Sequence, residues 1–268
     1  MLVPGFLNLI RPFNFDLFCT GKKFLIFNLV SRDLKIKYRR SFLGFFWTVL
    51  HPLILCGIYY FIFHEILQVK IPNYVIFILS GVIPWTFFST SVIEGTETLI
   101  GNASLLTKVP IPPQTFPFVA CLTNFITFLL AMPIVFSFGL ILGVSYGFQL
   151  LYLPLLAVIL FSMAYSLALI LSVAYVHLRD LKHAIGLLMQ IWFYATPILY
   201  KTEMVPQNLQ AIIYINPLGA LFTCFHQVFL GDQLLTSNLL ISVAWAAVFY
   251  LFAIAVQVKK AKRALEYL

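Results

Sequence analysis

Six apolar runs, at 44–67, 74–93, 116–144, 150–176, 184–199 and 239–258, alternate with short polar links along the chain. A helix crossing a hydrocarbon core of about 30 Å needs roughly 20 residues. Each run therefore predicts a membrane-spanning helix, and the third and fourth are long enough to tilt or protrude. The region 202–238 breaks the pattern. Its two moderately apolar halves, 205–215 and 217–230, are separated at Asn216-Pro217, and a proline behind a polar residue stops a helix there. Neither half reaches across a bilayer, so the region predicts two re-entrant half-helices in the outer leaflet. Upstream, Phe24, Phe27, Val30, Leu34 and Tyr38 recur at helical spacing while Arg32, Lys35 and Arg39 fall towards the other side. That pattern predicts an amphipathic helix lying in a membrane interface. The expected fold is all-α and integral to the membrane: an N-terminal segment at 1–43, a six-span domain at 44–258 and a tail at 259–268.

Charge orients this arrangement. Eight of the seventeen lysines and arginines precede residue 44, among them Arg32, Lys35, Lys37, Arg39 and Arg40. With the N-terminus inside, Lys108, Arg179, Lys182 and the tail cluster Lys259, Lys260, Lys262 and Arg263 are also cytoplasmic, and only Lys70 and Lys201 lie outside. Basic residues collect on the cytoplasmic side of membrane proteins, so both termini are expected there. The net charge of +8 reads as topology signal and lipid-headgroup contact rather than as a nucleic-acid surface. With 62% apolar and 10% charged residues, the chain has the composition of one surrounded mostly by lipid. No cleavable signal peptide is expected, since Met1 to Gly21 lacks a sustained apolar core.

The candidate chemistry is sparse. There is no G-x-x-x-x-G-K-[ST] loop, because Gly21-Lys22-Lys23 lacks both the upstream glycine and the following hydroxyl residue. G-x-S-x-G and H-E-x-x-H motifs are missing too. Cys19, Cys56, Cys121 and Cys224 stand singly without metal-ligand spacing. None of the nine acidic residues falls in the middle of a span, and His51 and His64 lie near the ends of the first, so no ion relay of the usual intramembrane kind is expected. Energy for transport would then come from another chain. Aromatic residues are abundant instead, at 17%. Trp47, Trp85 and Tyr200 suit interfacial belts, with Trp47 and Trp85 open to a path-lining role as well, but Tyr59, Tyr60, Trp192 and Tyr194 are more than a belt needs. Rings of this kind, apolar on the face and polar at the edge, suit the lining of a path for sugars.

The run Arg32-Asp33-Leu34-Lys35-Ile36-Lys37-Tyr38-Arg39-Arg40-Ser41-Phe42-Leu43-Gly44-Phe45-Phe46-Trp47, with His51-Pro52-Leu53, resembles the start of the first span in permease subunits of type 2 ABC exporters for bacterial surface polysaccharides. Ser80 to Phe88, His177 to Leu181, Ala195-Thr196-Pro197-Ile198 and Asn216-Pro217-Leu218 agree in order. The resemblance implies a homodimer in the bacterial inner membrane, carrying two ATP-binding cassette subunits that bind ATP and magnesium, with no cofactor on this chain. It implies export of an undecaprenyl-type lipid-linked polysaccharide such as O antigen, capsule or teichoic acid. The connection 95–115, with Glu97, Leu105, Leu106 and Lys108, would be the coupling helix that docks on the ATPase, and Asn216 and Pro217 would belong to the external gate. Two alternatives stay open: an ABC permease for a drug or small lipid, which would share the fold, and a membrane-embedded glycan or lipid transferase, which would need an acidic or histidine cluster at one membrane face.

Overall fold

The computed structural model describes residues 20–39, 44–109 and 111–266, and these form helices joined by short turns. In chain order the helices are α1 (Thr20–Tyr38), α2 (Trp47–Tyr60), α3 (Tyr74–Gly101), α4 (Ala103–Lys108), α5 (Thr115–Ile141), α6 (Leu153–His177), α7 (Leu181–Ala195), α8 (Gln207–Ile215), α9 (Gly219–Leu230) and α10 (Thr236–Glu266). A π-helical stretch, Phe61–Ile66, extends α2 without a break.

At the centre stands α3. From Tyr74 to Phe88 its residues are mostly apolar all round, and a helix of that kind belongs inside a bundle. Ile76, Phe77, Ile78, Leu79, Phe88 and Val92 are completely or almost completely enclosed. Helices α5 and α6 pack along α3, and α10 packs on α6. The contact between α3 and α6 depends on Gly95: a Cβ there would lie 2.7 Å from the Cβ of Ala168, so only a glycine lets the two backbones approach this closely. In lipid, where apolar burial between helices gains little, such close packing is a main source of cohesion.

Among the described residues five helical stretches are long and apolar enough to cross a membrane: Trp47–Ile66, Tyr74–Gly101, Thr115–Ile141, Phe148–His177 and Thr236–Gln257. The expected fifth span, 184–199, takes a different form. Helix α7 has 15 residues, about 22 Å of rise, and stops where Thr196 turns extended (φ −100°, ψ 139°) ahead of Pro197. The pyrrolidine ring disfavours helical backbone in the residue before it, so 196–200 continues as irregular chain. The half-helices expected on either side of Asn216-Pro217 are α8 and α9, of 9 and 12 residues.

Helix α1 is turned relative to its expected face. Ile26, Leu29 and Val30 are buried against Phe118 and Val119 of α5 and Leu169 of α6, whereas Phe24 and Phe27 point outward. The helix carries two apolar surfaces, one for the bundle and one for its surroundings, and single-face periodicity cannot separate them.

Candidate functional site

At the α8–α9 end, the side chain of Asn216 ties three segments together. It is 6% exposed, and all four of its hydrogen-bonding positions are used. Its Oδ1 accepts from Trp192 Nε1 at 2.9 Å and from the Leu218 backbone N–H at 3.0 Å, while its Nδ2 donates to the Ala195 carbonyl at 3.0 Å and to Thr196 Oγ1 at 2.9 Å. Asn216 thus closes the turn into α9 and holds the end of α7 against it. Pro217 follows in the turn and is half-buried. The sequence placed Trp192 and Asn216 in separate groups, conduit and gate; in the fold they are bonded partners.

A second knot, absent from the sequence reading, lies one layer deeper. His226 of α9 stacks on Phe77 of α3 with ring centroids 3.9 Å apart, donates from Nε2 to the Pro197 carbonyl at 3.0 Å, and accepts the Ser80 hydroxyl at Nδ1 at 2.8 Å. Because Nε2 faces a carbonyl it must carry the proton, which leaves Nδ1 as the acceptor. Gly81 makes room, since a Cβ there would meet Ile198 Cγ2 at 2.8 Å. The Tyr74 hydroxyl donates to the Leu199 carbonyl at 2.8 Å. Between them these bonds satisfy the Pro197 and Leu199 carbonyls of the irregular backbone after α7, as membrane burial requires. The signal in the sequence was a lone histidine inside an apolar half-helix.

The aromatic candidates divide. Tyr59 stacks on Phe193 of α7 at 5.6 Å, whereas its neighbour Tyr60, about 100° round the helix, stacks on His64 at 4.5 Å and lies near Tyr74. Trp192 meets Phe88 edge to face at 5.6 Å. Trp85 is buried among Phe88, Phe193 and Phe222. Tyr194 and Trp47 are exposed.

At the opposite end lie the expected interfacial and coupling groups. Glu97 belongs to the last turns of α3, which runs to Gly101 before Asn102 separates it from α4. Its carboxylate accepts from Lys182 Nζ at 3.0 Å, and this bond raises the lysine's pKa above its usual value. Arg32 of α1 pairs with Asp33 at 2.9 Å and reaches Asn102 Oδ1 at 3.4 Å. Helix α4, only six residues long, is therefore flanked by contacts to α7 and to α1. Leu106 packs on the cluster of Leu99, Val173 and Val176; Leu105 is half-buried and Lys108 exposed. Lys35 and Arg39 are exposed, and Arg40 lies outside the described residues. Lys37 reaches across to two other helices, donating to Asn124 Oδ1 of α5 at 2.7 Å and pairing with Glu94 of α3 at 3.3 Å. Among the described residues no group of three histidine, cysteine or carboxylate side chains could hold a metal, and Cys56, Cys121 and Cys224 are buried free thiols.

Long apolar helices around α3, a re-entrant pair at one end and a short helix braced by charged contacts at the other define a multi-pass membrane domain. Residues 25–230 match the ABC-2 type transporter membrane family, and the chain belongs to that family. It is 34% identical over 235 residues to the O-antigen export system permease protein RfbA of Myxococcus xanthus, a match covering 85% of this chain and 89% of the relative. A protein of the same name from Klebsiella pneumoniae is 31% identical over 211 residues, covering 78% and 82%. The polysialic acid transport protein KpsM of Escherichia coli is 25% identical over 199 residues, covering 71% and 75%.

Proposed function

We propose that this chain is the permease subunit of an ATP-driven exporter that carries a lipid-linked polysaccharide of O-antigen or capsule type across the bacterial inner membrane. The observation that carries the reading is similarity over 85% of the chain to a permease named for O-antigen export, joined to a sequence with no nucleotide loop of its own. ATP and magnesium then belong to a separate ATPase subunit, two copies of which dock at the α4 end of a permease homodimer. Both termini and the α4 end face the cytoplasm, in keeping with the basic residues of α1, Lys108, Arg179, Lys182 and the tail. Under this reading the chain crosses six times, with α7 and the irregular 196–200 together making the fifth crossing.

The geometry supplies a path for force. A push on α4 reaches α7 through Glu97–Lys182 and α1 through Arg32–Asn102. Ten residues further along α7, roughly 15 Å, Trp192 is bonded to Asn216 between the two half-helices. One helix would thus run from the proposed ATPase face to the proposed outer gate, the kind of rigid element that can bias two distant sites. The aromatic surfaces of α2 and α7, with Tyr59, Tyr60, Trp192 and Tyr194, would face their counterparts in the second copy and line the conduit.

The test is removal of the gene from its own host. Lipid-linked glycan should accumulate inside the cell and surface glycan should disappear, both restored when the chain is returned. Normal surface glycan in the deleted strain would sink the reading and favour a drug or small-lipid exporter of the same fold.

A further inference from the structure

A cavity of 410 Å³ opens between α1, α2, α3 and α5, within the range of small-ligand sites. Its lining changes character along its length. Glu94, Thr90, Phe87 and Ile83 follow one another up α3, and Asn124, Thr127, Phe128 and Ala131 do so up α5. From Glu94 to Ile83 is eleven residues, about 16 Å, polar at the α1 end and apolar at the other. A chamber graded in this way fits one amphiphile with its head beside α1 and its chain running towards the middle of the membrane.

The head end is specific about charge. Lys37 Nζ gives one proton to Glu94 and one to Asn124, and Asn124 Nδ2 donates to Glu94 Oε2 at 2.8 Å. Asn124 is 2% exposed, so the triad is fixed from below. Three donors on an ammonium and four acceptor positions on a carboxylate leave one proton of Lys37 and two lone-pair positions of Glu94 unspent. Thr90 and the exposed ring of His51 also border the cavity without hydrogen-bond partners among the described residues. An anionic head alone would take the free Lys37 proton and leave the two open lone-pair positions of Glu94 facing it without a donor. A phosphate carrying a primary amine meets both requirements, phosphate to Lys37 and His51, ammonium to Glu94.

We propose that this cavity is a binding site for one membrane phospholipid with a primary-amine headgroup, seated against Lys37, Glu94 and Asn124 with an acyl chain along Phe87, Phe128 and Ala131. The site is independent of the export reading, and a bound lipid would brace α1 and the start of α2 against α3 and α5.

Native mass spectrometry of the full-length chain in mild detergent tests this, with phosphatidylethanolamine, phosphatidylcholine and phosphatidylglycerol of identical acyl chains and with undecaprenyl phosphate. One phosphatidylethanolamine per chain should be retained about tenfold over phosphatidylcholine, whose quaternary amine cannot donate to Glu94; this is the scale of one charge-assisted hydrogen bond. Glu94→Gln should erase that preference, and Thr90→Phe, or Thr127→Phe where the first variant does not elute as a folded protein, should remove the adduct. Equal retention of the amine and choline lipids, or an adduct surviving in the cavity-filling variant, overturns the proposal. Displacement by equimolar undecaprenyl phosphate overturns it as well and gives the cavity to the anchor of a transported substrate.

Discussion

Asn216 shows what one side chain can carry in this fold. Its four hydrogen bonds join the end of α7 to the turn before α9, and an amide is the only short side chain able to offer two donors and two acceptors here. Asn216→Ala leaves the Trp192 indole N–H and the Leu218 backbone N–H without partners in a buried site. Each such orphan costs about 1–3 kcal/mol, so the variant should lose on the order of 3 kcal/mol and several degrees of thermal midpoint, followed by tryptophan fluorescence in detergent. Trp192→Phe should cost less, and the two changes should combine to less than their sum because they break the same bond. Strict additivity would show that the bond carries no stability. Asn216 was legible in the sequence as a member of a short motif, and Trp192 as one of the surplus aromatics of the fifth apolar run. Their pairing was not, because no local periodicity relates residues 24 positions apart across a proline break. His226 escaped for a related reason: its partners Phe77, Ser80 and Pro197 come from two other segments.

Among the elements, α7 departs most from expectation. Hydrophobicity alone extends it to residue 199, but Pro197 overrides the pattern, and the irregular stretch is acceptable because Tyr74 and His226 supply its hydrogen bonds from neighbouring helices. The long spans were legible because their apolar runs are continuous. The extent of α3 to Gly101 was not, since Glu94 and Glu97 look like the end of a span until Lys37 and Lys182 are seen to pair with them. The Glu97–Lys182 pair joins α3 to α7 and is largely exposed, so it adds little stability. Its value would lie in coupling. Lys182→Glu should leave folding and ATP hydrolysis by the assembled complex near wild type while export falls roughly tenfold, the scale of a coupling energy of about 1.4 kcal/mol. Adding Glu97→Lys should restore export. A single variant with normal export, or a swap that fails to rescue, would remove this pair from the transmission path.

For the molecule as a whole, a large apolar surface lies uncovered. Ile54, Ile58 and Phe61 of the first span and Leu187, Leu188, Ile191 and Tyr194 of α7 are all exposed in the single chain, where lipid or a second copy could cover them. A homodimer meeting along these helices predicts that cysteines introduced singly at Ile58 or Tyr194, in a background with the four native cysteines replaced, form disulfide-linked dimers in membranes under mild oxidation. A cysteine at Leu240 of α10, an equally exposed position, should remain monomeric. Cross-linking at Leu240 alone would place the interface on the other side of the bundle.

The missing side chain at Gly95 bears on which parts can move. With a Cβ position only 2.7 Å from the Ala168 Cβ, the Ala168 methyl of α6 sits directly on the α3 main chain, and neither residue has a rotamer to rearrange as one helix shifts past the other. Sliding by even a fraction of a turn would drive Ala168 into a main chain. The pair, with α10 laid along α6, therefore behaves as a door frame. Helix α7 buries just Ile185, Met189 and Phe193, and α2 just Pro52 and Cys56. With a conduit along α2 and α7, as proposed, these two thinly attached helices would be the leaves hung on that frame, moving while it stands still.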